Sequence, residues 1–540
     1  MFKITKKVQH LAIFLAAIFV VVLIGVVQAQ VGPADTEDTN QITAIIAGNP
    51  ETLDPATTFD GLSLHVTAHI YETLVAADES DLYRTSPGLA ESWTVSSDGL
   101  TWTFTIRPGA KFHDGTEVDA NAIVYNINRW WDPTHPYYAG DSTYFNSLFR
   151  GPKGDPQSSF VSVAASEPLK VTIQLDSPDS TILAKLAMPA FGIASPQAIQ
   201  AGTLASNPVG SGPYKFVAWQ VNEYVDMETN DQWVTVPEIE HLRFQIIPGP
   251  EERLAALKSG QAQASPGLQF LLDEVPTGGN LRVEWHPSID VGYLGINRAF
   301  TPLGNVLVRQ AIAHAVDRKT IATNSYTAGD LVATDLLPPQ LWGVDPDLED
   351  YAYDPQTAMD LLDQAGYSNG FAITLSYRDV YRSYMPDPGA TAAAIASDLE
   401  AIGIDVTVEQ LESGEFINKV YAGELEMFLL GWSADYPHPI NIYGFVLCGI
   451  ELGPTDDELC DTLNESGNTT SQAEEEALIQ KASRRAHETV PVLPLAHSRQ
   501  PLVVYRDLFH VSYFWGIGAD YSTAIYADSH NYLPMTTSGK

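Results

Sequence analysis

Polar and apolar residues alternate from Thr101 to Ile106, with Trp102, Phe104 and Ile106 on one side, and Pro108-Gly109 follows as a turn. That period of two predicts a strand with one buried face. A second strand reads Val171, Ile173, Leu175 and ends near Pro178. Other stretches repeat with the helical period. Glu251-Glu252 open a helix with acids at its positive end, Leu254 and Leu257 supply its apolar face, and Gly260 closes it. Val308, Ala311, Ile312, Ala315 and Val316 predict a helix from Val308 to Arg318 with one face buried. The Ala-rich stretch Thr391 to Ile402 stops at Gly403, and Ile404, Val406 and Val408 then alternate as a strand. Helix and strand patterns mix in this way along the whole chain, with no internal repeat, which predicts an α/β protein.

The N-terminus changes the picture. Lys3, Lys6 and Lys7 precede an uncharged run from Leu11 to Val27, and Val27-Gln28-Ala29 suits a signal-peptidase cut before Gln30. The competing reading is an uncleaved anchor, since the run is long for a signal and short for a comfortable span. No cysteine lies near the cut, which argues against a lipid-anchored form. The expected location is therefore the periplasmic space or the extracellular face. About 510 residues remain, too many for one compact core, so two or three lobes are expected. The whole chain carries a net charge of −38, and loss of the three lysines leaves −41. Such a surface repels phosphate backbones and argues against a nucleic-acid partner.

The two cysteines, Cys448 and Cys460, form a close pair. In an exported protein they are disulfide candidates, and closing that loop would contribute about 3 kcal/mol. Two reduced buried thiols remain the alternative, whereas zinc lacks its ligand spacing here.

Enzyme signatures fail. The chain has no G-x-S-x-G elbow, no P-loop and no H-E-x-x-H, and His487-Glu488 lacks a second histidine four residues on. His113-Asp114-Gly115 sits among turn residues and reads as a hairpin-like corner. Gly210-Ser211-Gly212-Pro213 lacks the lysine–hydroxyl pair of a phosphate loop and reads as a structural turn. The acidic stretch Asp345, Asp347, Glu349, Asp350 lacks the calcium-loop pattern and reads as a solvated loop. No metal site and no cofactor are expected.

An ordered set of motifs carries a resemblance. Leu53-Asp54-Pro55, Tyr71-Glu72-Thr73-Leu74 and Pro87-Gly88-Leu89-Ala90-Glu91-Ser92-Trp93 come first. Asp98-Gly99-Leu100, Phe104, Arg107, Gly109 and Lys111-Phe112-His113-Asp114-Gly115-Thr116 follow. Asn207-Pro208-Val209-Gly210-Ser211-Gly212-Pro213-Tyr214, Val308-Arg309-Gln310-Ala311-Ile312 and Gly431-Trp432-Ser433-Ala434-Asp435-Tyr436-Pro437 complete it. Together they resemble the family-five extracellular solute-binding proteins of ABC transporters, the family of dipeptide-, oligopeptide- and nickel-binding proteins.

The resemblance implies a periplasmic-binding-protein-like fold (type II, cluster C) of two lobes, with an extra subdomain inserted in the first. On that map residues 1–29 are the signal peptide, 30–75 and 205–290 build the first lobe, and 76–204 form the inserted subdomain. Residues 291–505 form the second lobe, and 506–540 return to the first. The implied function is a non-enzymatic, monomeric binding component that hands short peptides to an ABC permease and ATPase complex. Another cargo (an oligosaccharide, a nickel complex or metallophore, an opine-like solute) is the alternative within the family, and a secreted peptide hydrolase is the alternative outside it.

The resemblance also assigns roles. Asp435 matches the aspartate that receives the peptide's amino group, and Trp432 is a candidate pocket wall or an ordinary core residue. Asp60, Gly61 and Leu62 fall where peptide binders offer backbone to the ligand. Arg378 and Arg382 lie in the stretch that holds the carboxylate in dipeptide binders, where an ion pair with Asp379 is the bland alternative. Tyr137, with Tyr138, is the candidate lid tyrosine. His438-Pro439 departs from the family's Asp-Pro, and the histidine reads as structural.

Overall fold

The computed structural model describes residues 40–77, 85–140, 143–276, 278–327, 329–514 and 517–527. The expected signal segment lies outside them. Among the described residues no helix is long and apolar enough to cross a membrane.

Three sheets organise the chain. The first has seven strands in the order Leu281–Pro287, Arg499–Tyr505, Ala264–Pro266, Gln41–Ile46, His241–Ile246, Tyr224–Thr229, Tyr214–Gln220. The second has six, in the order Leu331–Val332, Val492–His497, Asp290–Ile296, Met427–Ser433, Phe371–Arg378, Ile404–Leu411. Its central strand, Asp290–Ile296, is buried along its whole length, as a strand covered on both faces must be. The third is an antiparallel sheet of Ala90–Val95, Thr101–Ile106, Lys170–Leu175 and Phe160–Glu167. Helix Ala120–Trp131, capped by Asp119, lays Ile123, Ile127, Trp130 and Trp131 into the core of that sheet.

The first two sheets are joined side by side at two crossings. Leu281–Pro287 pairs with Arg499–Tyr505 in one sheet, and Asp290–Ile296 pairs with Val492–His497 in the other. The chain therefore passes between lobes at residues 287–290 and again at 497–499. Side chains gather there: Ser383 and Ser498 donate to the Asp290 carboxylate, and His497 bonds the Asp290 carbonyl at 3.1 Å. Two short adjacent connections of this kind have the geometry of a hinge. Apolar contact nevertheless runs continuously from the third sheet to helices of the second lobe, and Ser180 of the inserted subdomain bonds Gly467 and Glu475.

Most motif residues prove to be anchors of this fold. Arg129 forms a two-pronged buried pair with Asp54 of the Leu-Asp-Pro motif. Arg107 pairs with buried Glu72 and also donates to Gly88. Arg309 spends its guanidinium on the carbonyls of Leu303, Gly304, Thr489 and Val490, and burial lowers its pKa to about 10. Gly210 has a steric cause. A Cβ there would lie 2.1 Å from the Ile70 carbonyl oxygen, so the glycine turn is pressed against the end of helix Gly61–Thr67. The His113 corner closes on the same turn through Gly210 and Gly212.

The helix predicted from Val308 to Arg318 is corrected. It runs Val306–Ala315, Val316 is extended, and Asp317 caps a new helix, Arg318–Ser325. The carboxylate of Asp317 accepts from Thr320 at 3.0 Å, and that cap outweighs continuation of the apolar period. The predicted apolar face, Val308, Ala311, Ile312 and Ala315, is buried.

Candidate ligand-binding cleft

Strand Met427–Ser433 lies at the centre of the second sheet and ends near the hinge, with Ser433 opposite Asp290. Its Gly431 is dictated by packing. A Cβ there would fall 2.2 Å from the Tyr384 ring, so only glycine lets loop 379–387 cross the strand end. Beyond it, Asn441 on helix Pro439–Leu447 fixes the motif. Its side-chain oxygen accepts from the Trp432 indole at 2.9 Å and from the Asp435 backbone at 3.1 Å. The Trp432 ring stacks on Phe445, centroids 3.5 Å apart.

Fixing the backbone of Asp435 aims its half-buried carboxylate at the inserted subdomain. The Tyr144 hydroxyl reaches it at 3.4 Å, and the Tyr144 ring leans on Phe59, centroids 4.6 Å apart. The Tyr144 helix and the Asp435 loop thus meet at one carboxylate, with Phe59 backing the tyrosine. Burial raises the pKa of Asp435, and the hydrogen bonds from Tyr144 and Asn441 only partly oppose this. Burial and the nearby Asp435 keep the Tyr144 phenol protonated, a donor. Among the described residues no cationic side chain lies within ion-pairing distance of Asp435. The site holds a negative charge that is only partly compensated.

Asp60 commits its carboxylate to the start of helix Gly61–Thr67, accepting from Ser63 N at 2.7 Å and Ser63 Oγ at 2.6 Å. Gly61 has nothing within 4 Å of a built Cβ, and Leu62 packs towards Gly48. Beside this segment Phe59 is half-exposed.

The two arginines differ. Arg378, at the end of strand Phe371–Arg378, donates to Ser413 Oγ at 3.2 Å and Tyr384 OH at 3.3 Å, with Phe416 beneath it. Arg382 is exposed, and among the described residues its guanidinium donates only to the Tyr381 carbonyl, at 2.9 Å. Asp379 pairs with neither.

Tyr137 is a third exposed, bonded through its backbone to Arg129 and His135, and the Tyr138 hydroxyl accepts from Asn146. The tyrosine that meets Asp435 is Tyr144. Sequence reading passed over it and Phe59, although an aromatic directly after the helix-capping Thr143, and another beside Asp60, were the available signals.

His438 caps helix Pro439–Leu447 and lies 3.2 Å from Glu475, which also accepts from Ser180. Among the described residues no group of three or more His, Cys, Asp or Glu is arranged to hold a metal. In the acidic loop, Asp345 pairs with Arg484 and Asp350 with Arg318. Cys448 and Cys460 are joined in a disulfide, Cα atoms 5.8 Å apart. A cavity of about 810 Å³ lies between Trp233, Arg107 and the C-terminal strands, and no predicted site residue lines it.

Two lobes joined by paired crossings, with an under-compensated carboxylate where they meet, define a hinged α/β binding protein. Residues 84–449 match the model of the bacterial extracellular solute-binding proteins, family 5. The chain belongs to that family. It is 30% identical over 480 residues to the dipeptide-binding protein of Escherichia coli K12, covering 83% of this chain and 87% of that one. It is also 30% identical over 491 residues to heme-binding protein A of Haemophilus influenzae, covering 86% and 88%. Among solved structures, HbpA2 from Haemophilus parasuis aligns with a TM-score of 0.84 at 27% identity, covering 90% of this chain and all of that one. The dipeptide-binding protein of Pseudoalteromonas sp. SM9913 in complex with Met-Leu aligns at 0.69 and 25%, with coverage of 90% and 100%. The fold is the two-lobed periplasmic-binding-protein type, and the family is one of solute-binding proteins.

Proposed function

We propose that this chain is the substrate-binding component of an ABC importer and that its cargo is short peptides. The observation that carries the reading is Asp435, a half-buried carboxylate with a raised pKa whose side-chain partners are all neutral. A buried charge demands a counter-charge, and a peptide's terminal ammonium supplies one with three donors. Asp435 receives the ammonium, with Tyr144 beside it. Arg382, whose exposed fork is held by the neighbouring Tyr381 carbonyl alone among the described residues, receives the terminal carboxylate, while Arg378 holds Tyr384 and helix Ser413–Tyr421 in place. Backbone at Asp60, Gly61 and Leu62 offers the ligand an edge, and Trp432 walls the pocket. Tyr137 belongs to the rim rather than the floor.

The lobes follow the bounds set out from the sequence except that the second ends at residues 497–499, since strand Arg499–Tyr505 pairs in the sheet of the first; they close about residues 287–290 and 497–499 and present the closed form to a membrane transporter. Export through the N-terminal segment completes the reading. Names among the relatives support it, since one is a dipeptide-binding protein and a similar structure holds Met-Leu. Heme, in the name of another relative, brings carboxylates but no ammonium and leaves Asp435 without a partner.

Calorimetric titration tests this directly. The wild type is expected to bind Ala-Ala at least about a hundredfold more tightly than N-acetyl-Ala-Ala. Arg382→Ala is expected to lose affinity for the free acid but not for Ala-Ala amide. Equal binding of the acetylated and free peptides sinks the assignment of Asp435.

A further inference from the structure

One contact between the lobes has no part in the hinge or in the anchoring of either ligand end. Strand Ala264–Pro266 of the first lobe runs into a loop whose Gln269 donates to the Tyr381 hydroxyl at 2.8 Å. The next residue, Phe270, meets the Tyr381 ring edge-on, centroids 5.5 Å apart at 70°. These are surface aromatics: Phe270 is 68% exposed and Tyr381 43%. Neither is a core residue, so the fold itself does not require their meeting.

The position of the contact gives it meaning. Tyr381 directly precedes Arg382, and the Arg382 guanidinium is tied to the Tyr381 carbonyl. The loop is held stiffly. Arg382 and Met385 exchange backbone hydrogen bonds, and Ser383 is fastened to Asp290 at the hinge. A rigid loop therefore carries both the exposed arginine and the aromatic that reaches the opposite lobe.

We infer that Gln269, Phe270 and Tyr381 form an end wall that closes the cleft just past Arg382 and limits the cargo to di- and tripeptides. The inference rests on the peptide reading. An extended peptide advances about 3.3 Å per residue, so a chain whose carboxylate lay further on would have to part this contact. A di- or tripeptide ending at Arg382 leaves it made. The wall is built from one hydrogen bond and one exposed ring pair, so it opens and closes with the lobes at little cost to either.

The test uses the full chain, freed of bound ligand by denaturation and refolding, with dialanine to pentaalanine as probes in separate titrations. Gln269→Ala combined with Phe270→Ala removes the wall from the lobe that holds neither peptide end. Both side chains are exposed or at the surface, and an unchanged melting curve confirms folding. The wild type is expected to favour dialanine over tetraalanine by at least about tenfold. The double variant is expected to shrink that ratio about fivefold or more and to keep its dialanine affinity within about threefold. Tyr381→Phe, which keeps the ring and loses the hydroxyl, is expected to fall between them. Dialanine binding with an unchanged length preference in the double variant overturns the wall and leaves the peptide reading standing. A wild type that prefers tetra- or pentaalanine also overturns the wall alone. Failure of the wild type to bind any of the four peptides overturns both.

Discussion

Replacing Asp435 with alanine is expected to weaken dipeptide binding by two to four orders of magnitude while leaving the fold intact. Removing one partner of a buried ion pair leaves the other charge buried and unpaired, which costs about 3–5 kcal/mol. Here the stranded group is the peptide's ammonium, left facing only the Tyr144 hydroxyl and the Trp432 wall. The protein tolerates the change because Asp435 is held by its backbone. Its N–H donates to Asn441, and that bond survives in the variant. Its carboxylate has only neutral partners, Tyr144 at a long 3.4 Å and Asn441, and so contributes little to stability. Asp435→Asn separates charge from shape and is expected to lose nearly as much affinity. Calorimetry with Ala-Ala measures both variants. A loss below about tenfold in Asp435→Ala shows that the ammonium is held elsewhere.

Stability is expected to fall by several kcal/mol between pH 7 and pH 4.5. His65 and His69 lie one turn apart at the end of the helix that begins at Asp60, packed against Phe244 and the strand Gly518–Asp520. Burial lowers both imidazoles from 6.5 to about 4, and burial does the same to His113 at its corner. The sign follows from proton counts. In the unfolded chain these histidines protonate as pH drops through 6.5, whereas the folded protein keeps them neutral until about 4. The unfolded state thus binds more protons throughout that window. Stability is full above pH 6.5 and is lost progressively down to about pH 4, at up to about 3 kcal/mol per imidazole. Asp520 acts the other way, since burial raises its carboxyl, and it offsets part of the loss. Guanidinium midpoints across this range measure the effect. A midpoint that does not move between pH 7 and 4.5 contradicts the buried neutral state.

Much of the local structure was legible because it is set by near neighbours. Thr101–Ile106 alternates half-buried and buried positions as its sequence does. Pro250–Ser259 carries acids in its first turn and ends at Gly260 in the left-handed conformation, as an acidic start and a closing glycine require. Where two local signals competed, the stronger cap won, and Asp317 divided a helix that the apolar period alone would have continued.

The site was legible only through motif residues, and most of those do other work. Asp54, Glu72, Arg107, Arg309 and Gly210 hold each lobe together internally, so an ordered match of motifs reports the fold before it reports any ligand. Asp435 follows from its motif. Tyr144 does not, because its contact with Asp435 joins positions 291 residues apart. The pairing of Leu281–Pro287 with Arg499–Tyr505, which makes the hinge, joins segments more than two hundred residues apart and leaves no local trace.

The central claim is that the cleft holds short peptides by both charged ends. Its most direct test is mass spectrometry of what the native protein releases on denaturation. The account predicts di- and tripeptides with free amino and carboxyl ends, present in wild type and absent from Asp435→Ala. Release of heme, a sugar or a metal complex in place of peptides would contradict it.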